Sequence, residues 1–292
     1  MLSQIFSIIA PVFICAFVGY CWGRFRQPFD REFVTRIITT ISAPCLVFAT
    51  FMEVSIEMHS FLSIMTGTLM NVFIVGCIAL VILRLLKLDI PAFLPSQMFP
   101  NTGNMGLPLC LLAFGDAGLA LGITYFAVNS FFHFTLGVAI SSGTMSLKSL
   151  LRNPMFFTVL LTLALVFFNI HAPAWIVNTT DLFAGLSIPL MLMALGVSLS
   201  QFKISSIHRS LGLAALRLTL GFIVGFSSAT LLGLEGASKG VLIIQSTMPV
   251  AVFSYLFAYK YQRSPEEVAG TVVLSTIMSF ATLPLLLWFV LP

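Results

Sequence analysis

The sequence predicts an all-α integral membrane protein: ten transmembrane helices in two inverted five-helix repeats, with the fourth and ninth helices broken. Composition is the first reason. Of 292 residues 59% are hydrophobic and only 8% charged, with a mean hydropathy of +1.06, far outside the range of water-soluble domains. The second is a series of ten apolar runs, each long enough to cross a hydrocarbon core of roughly 30 Å. The third is a recurring pair of proline motifs. Ser42-Ala-Pro44 returns as Ser187-Ile-Pro189 and Met98-Phe-Pro100 as Thr247-Met-Pro249, shifts of 145 and 149 residues.

The runs fall at about 4–23, 33–52, 60–83, 92–113 and 118–142, then 153–170, 175–199, 210–233, 237–259 and 266–290. Only Ser3 and Gln4 precede the first run and no small-residue cleavage site follows it, so it reads as a retained span with the mature chain starting near Met1. Pro44 and Pro189 mark the second and seventh runs, Pro100 and Pro249 the fourth and ninth. Past the second motif pair the register holds, setting Ala120 against Ala269 and Ser130-Phe131 against Ser279-Phe280. The chain is therefore one membrane domain, 1–292, with repeat one at 4–143 and repeat two at 153–292. An odd number of spans per repeat makes the second copy enter from the opposite face, the inverted arrangement of secondary transporters.

Loop charge sets the orientation. Arg24, Arg26, Arg31 and Arg36 flank the first loop, Arg84 and Lys87 the third, Lys148 and Arg152 the fifth, Lys203 and Arg209 the seventh, Lys260 and Arg263 the ninth. The even-numbered loops carry Glu53, Glu57, Asp116, Asp181 and Glu235 against a single Lys239. Basic loops stay cytoplasmic, so both termini face away from the cytoplasm, in the inner membrane of a cell. The net charge of +4 is spent on this topology, and no nucleic-acid partner is implied.

Pro100-Asn-Thr-Gly-Asn-Met-Gly-Leu-Pro108 is the most informative stretch, because two asparagines, two glycines and two prolines interrupt an apolar run. Backbone at membrane depth leaves helical geometry only where protein or a water-filled cavity satisfies it, so a lined cavity is expected here. A broken span offers a half-helix N-terminus with free N–H groups and a positive dipole end, a setting for an anion. Asn101 and Asn104 can donate amide bonds to a carboxylate, Thr102 and Ser254 can add hydroxyls, and Gly103 lets backbone approach. In the repeat register Asn101 and Asn104 stand opposite Val250 and Phe253, next to Pro249, so the ninth span supplies an apolar wall. The asparagines can also satisfy carbonyls freed by the break, and the two roles coexist.

With these motifs and ten runs, the chain resembles the auxin efflux carrier family of secondary transporters, on Pro100 to Leu109, Ser246-Thr-Met-Pro249 and Ser187 to Met193. The resemblance implies a fold similar to the bile-acid sodium symporters. In that fold the fourth and ninth helices cross in an X, a scaffold (here about 4–52 and 153–199) supports dimerisation, and a core (about 60–142 and 210–290) moves against it like an elevator. Plant members carry a long insert after the fifth span, where this chain has only Gly143 to Arg152. It resembles a microbial member, for which mono- or dicarboxylates such as malate or malonate are the expected cargo. The sodium-driven relatives place an acidic residue in the ninth-span crossover, and none stands here between Glu235 and Glu266. The third span has no carboxylate between Glu57 and Asp89, so a sodium site of that type is not expected.

Ionisable residues inside spans are functional candidates by default. His133, one turn from Asn129, is a proton carrier or a histidine bonded to a nearby carbonyl. Arg217, about two turns into the eighth span, is expected to snorkel to the headgroups, with a carboxylate clamp as the sharper alternative and a repeat counterpart near Asn71. Coupling by a proton through His133, or uniport, stays open.

No HExxH or GxSxG motif occurs, and Asp181 has no acidic partner at its depth, so no enzyme is indicated. Cysteines 15, 21, 45, 77 and 110 lack CxxC spacing, so neither metal, disulfide nor any cofactor is expected. Gly19 and Gly23, spaced as GxxxG, favour close helix approach. The expected partners are a small organic anion, the lipid bilayer and a second copy of the chain. A carrier of small organic anions is the reading adopted, with a membrane sensor of the same fold, or a channel, as alternatives.

Overall fold

A computed structural model of the protein describes residues 2–53, 57–143, 157–158, 161–162, 164–165, 168, 170, 172–202 and 206–291. Their regular structure is helical apart from one isolated antiparallel bridge, Pro100 to Val250. In chain order come α1 (Leu2–Arg24), α2 (Arg31–Ile37), a π turn (Ile38–Ser42), α3 (Ala43–Glu53), α4 (Met58–Leu85) and α5 (Ile90–Met98). A second π turn (Thr102–Gly106) leads into α6 (Leu107–Phe132), and a third (His133–Gly137) into α7 (Val138–Ser142). There follow α8 (Ala174–Ala184), α9 (Ser187–Gln201), α10 (Ile207–Leu231), α11 (Gly236–Thr247), α12 (Val252–Lys260) and α13 (Pro265–Val290).

Among the described residues seven helical stretches are long and apolar enough to span a bilayer: 2–24, 32–52, 58–85, 102–142, 174–201, 207–231 and 265–290. The expected fourth and ninth spans are not among them as single helices, because each is divided into two short pieces. The expected sixth, 153–170, and the basic residues Lys148, Arg152 and Lys203 lie outside the described residues or largely so. The stretch 102–142 holds part of the expected fourth span and all of the fifth. It is cut at Gly115, whose φ of 65° and ψ of −157° suit only glycine.

Local chemistry sets the element ends. Asp30 caps α2, accepting from the Phe33 amide at 3.0 Å. Pro265 sits at the start of α13 with Glu266 and Glu267 in its first turn, where negative charge suits the dipole. The two mid-chain breaks share one cause. A proline pushes the residue before it out of the helical region, and Phe99 (φ −111°, ψ 103°) and Met248 (φ −59°, ψ 149°) are both extended ahead of Pro100 and Pro249.

Helix α1 packs along α9, and α3 against α8. At Gly19 an added Cβ would lie 2.8 Å from Met193 Cα, and at Gly196 it would meet the backbone of Ala16 and Tyr20. The first glycine of the GxxxG pair therefore serves contact within the chain. A second group, α4, α5, α6, α10, α11 and α13, packs around Val241 to Ile244 of α11 and around Val72, Val75 and Phe99. Ser42 and Ser187, at matched places before Pro44 and Pro189, are both buried, with hydroxyls that find no partner among the described residues.

Candidate functional site

The broken helices meet back to back. The Asn101 amide donates to the Pro249 carbonyl at 2.7 Å and the Ala251 amide to the Phe99 carbonyl at 3.2 Å, framing the Pro100–Val250 bridge. The two extended segments thus satisfy each other's backbone where neither helix can. Their pairing places Asn101 against Pro249 and Pro100 against Val250, one residue away from the register of the proline motifs. The Val250 amide is taken by Ser275 Oγ at 3.1 Å.

Two helix ends of each sign converge here. α5 and α11 present carbonyl ends, while the π turn at Thr102 and α12 at Val252 present amide ends. Gly106 N closes a π-type bond to Asn101 O, and the amides of Gly103, Asn104 and Met105 fall in the first turn, where a helix has no preceding carbonyls to offer its N–H groups.

Arg217 does not reach the headgroups. It is fully buried on α10, and its guanidinium donates to the carbonyls of Gln97, Ser246 and Met248, the last at 3.4 Å. Snorkelling is overridden because freed carbonyls at two broken helix ends lie nearer than the membrane surface and need donors. Nor does Arg217 line the cavity described next. Asn71 accepts from Tyr125 Oη at 3.1 Å.

A cavity of about 1030 Å³ opens beside the crossover. Asn101, Thr102, Gly103, Asn104, Asn129 and His133 form its polar end with Ser130. Ala251, Val252, Phe253 and Leu256 supply an apolar wall, joined by Phe126 and Phe134. Asn101 is 5% exposed and Asn129 1%, yet Asn101 Nδ2 and Asn129 Oδ1 have no partner among the described residues. Burying such a group unbonded costs about 1–3 kcal/mol, so both atoms favour a hydrogen bond to a molecule in the cavity. Asn129 Nδ2 is fixed by Thr102 Oγ1 at 3.3 Å.

Pro249, Val250 and Ser254 do not line the cavity. The first two are consumed by the bridge, and Ser254 Oγ sits 3.2 Å from His133 Nε2. That imidazole stacks on Phe99 at 4.5 Å between ring centroids and has Phe253 and Phe257 edge-on. Its partner is a hydroxyl and not a carbonyl. Asp116 follows the Gly115 break, and Asp181 lies within α8.

Several lining residues escaped the sequence reading. Thr35, Thr39 and Thr40 come from α2 and its π turn, and the exposed Asp30, Glu32 and Arg36 stand at the rim. Outside the cavity lining, Gln97 and Gln245, buried just before each break, donate to Leu213 O at 3.2 Å and Gly122 O at 3.3 Å. A glutamine near each matched proline was the available signal. Nothing in the spacing of the threonines distinguishes them from ordinary helix residues.

A family model described as membrane transport protein matches residues 4–144 and 138–288. The chain belongs to this family, that of the auxin efflux carriers. It is a multi-pass membrane transporter. Across the family it is similar to an uncharacterised transporter of Methanocaldococcus jannaschii, 25% identical over 98% of each chain. It is also similar to a putative malonate transporter of Rhizobium meliloti, 21% identical over 99% of this chain and 97% of the other. Auxin efflux carrier component 1 of Arabidopsis thaliana is 28% identical over 49% of this chain and 24% of the plant protein.

Proposed function

We propose that this transporter is a secondary carrier of small organic anions, mono- or dicarboxylates of the size of malate or malonate, held at the crossover. The observation that carries the reading is Asn101, whose buried amide nitrogen has no partner among the described residues, where two positive half-helix ends meet a cavity. A carboxylate would accept from Asn101 and Asn104 and from the free amides beyond Thr102, while its carbon skeleton lies on Phe253 and Phe126. The malonate named for one relative is a carboxylate of this class.

The wider mechanism is part of the same proposal. Ten spans in two inverted repeats carry the crossover in a core, about 60–142 and 210–290. This core slides like an elevator against a scaffold, about 4–52 and 153–199, through which two copies pair. The rim residues Asp30, Glu32 and Arg36 lie at or beside the basic first loop, so the cavity opens to the cytoplasm of an inner-membrane protein with both termini outside.

Counterflow into proteoliposomes tests the carrier reading. Vesicles preloaded with malonate, malate or a monocarboxylate should concentrate the labelled acid transiently and saturably. Binding without flux would instead support a sensor, and flux without saturation a channel.

A further inference from the structure

We propose that Arg217 is a built-in counter-cation of the crossover, holding the place that a small monovalent cation would otherwise fill at the carbonyl ends of α5 and α11. The guanidinium collects three carbonyls from two helices, Gln97 from one and Ser246 and Met248 from the other. Such oxygens are the usual ligands of hard cations. They are also the negative ends of two half-helices.

The environment is shaped for this charge. Arg217, Gly221 and Gly225 follow at four-residue spacing on one face of α10. An added Cβ at Gly221 would lie 3.0 Å from Arg217 Nη2 and 3.1 Å from the Ser246 carbonyl carbon. At Gly225 it would lie 2.7 Å from Ser246 Cβ. Glycine is thus what brings the end of α11 within reach of the guanidinium. The ion pairs among the described residues are Arg36–Glu32 and Arg209–Glu267, neither at the crossover. Among the described residues no carboxylate pairs with Arg217, so its charge faces chiefly the carbonyl ends of two helices.

This arrangement has a consequence for coupling that goes beyond the carrier reading and rests on it. With the negative ends neutralised by a fixed side chain, the positive ends at Thr102 and Val252 are left to the anion. Loading then needs no co-bound sodium or other metal cation. Arg217 is a positioning residue: it acts on the substrate through the half-helices and does not touch it.

The test pairs Arg217→Ala, Arg217→Gln and Arg217→Lys with two readouts. In the first, the thermal midpoint of purified protein is followed in millimolar guanidinium, sodium or choline chloride at equal ionic strength. Arg217→Ala should be stabilised by a few degrees in guanidinium or sodium relative to choline, and wild type and Arg217→Lys by neither. In the second, labelled malonate counterflow should be the same in sodium and choline for wild type. It should fall about tenfold or more in Arg217→Ala and recover in part with guanidinium or sodium. If the alanine variant does not fold, Arg217→Gln carries the same test, since it keeps donors without the charge. A folded neutral variant that matches wild type in every buffer, or that gains nothing from either small cation, overturns the proposal. The first readout uses no substrate, so a wild type that moves no malonate would count against the carrier reading and leave the cation result standing.

Discussion

Asn101 donates its backbone amide to the carbonyl of Pro249, 2.7 Å away and 148 positions later in the chain. This bond joins two helices at the point where each stops. It consumes the backbone of Asn101 and leaves the side-chain amide free.

The pairing should be open to covalent capture. In a variant lacking the native cysteines, Pro100→Cys with Val250→Cys should form a disulfide under mild oxidation, because a non-hydrogen-bonded antiparallel pair brings Cα atoms to about 4.5 Å, within the range a disulfide spans. A mobility shift or mass spectrometry reads the result. Failure to cross-link in folded protein would mean that the broken ends do not meet.

Close approach of α10 to α11 should be as sensitive to a single methyl group. Gly221→Ala is expected to cost about 1–3 kcal/mol by overpacking against the Ser246 carbonyl. Gly212→Ala, on the same helix with open space at the added Cβ, should be neutral or mildly stabilising. Thermal unfolding in detergent compares the two, and equal effects would refute the packing.

Access to the polar end of the cavity supplies a third expectation. Asn104→Cys in the cysteine-free background should react with a small thiol reagent, and a bound carboxylate should slow that reaction. Protection by malonate or malate, with none by a neutral diol of similar size, is the expected pattern. Equal rates with and without every acid would place the anion elsewhere.

The breaks were legible because proline and glycine act on their immediate neighbours. Pro100 and Pro249 unwind Phe99 and Met248 by local sterics alone, and the asparagines beside the first break announced a polar pocket. The setting of Arg217 is illegible in sequence for the opposite reason. Its depth from the helix end suggested snorkelling, but its partners are backbone carbonyls contributed by Gln97, Ser246 and Met248. A carbonyl freed by a distant break has no signature in sequence. The same holds for Ser254, which the residue type assigned to the cavity and the fold turned toward His133.

The most direct test is calorimetric titration of purified protein with a panel of mono- and dicarboxylates, comparing wild type with Asn101→Ala. Saturable binding of at least one acid by wild type, weakened about 10–100-fold in a variant of unchanged thermal midpoint, is the expected result for loss of one hydrogen bond to a charged group. Equal affinity in the two proteins would contradict an anion site at the crossover.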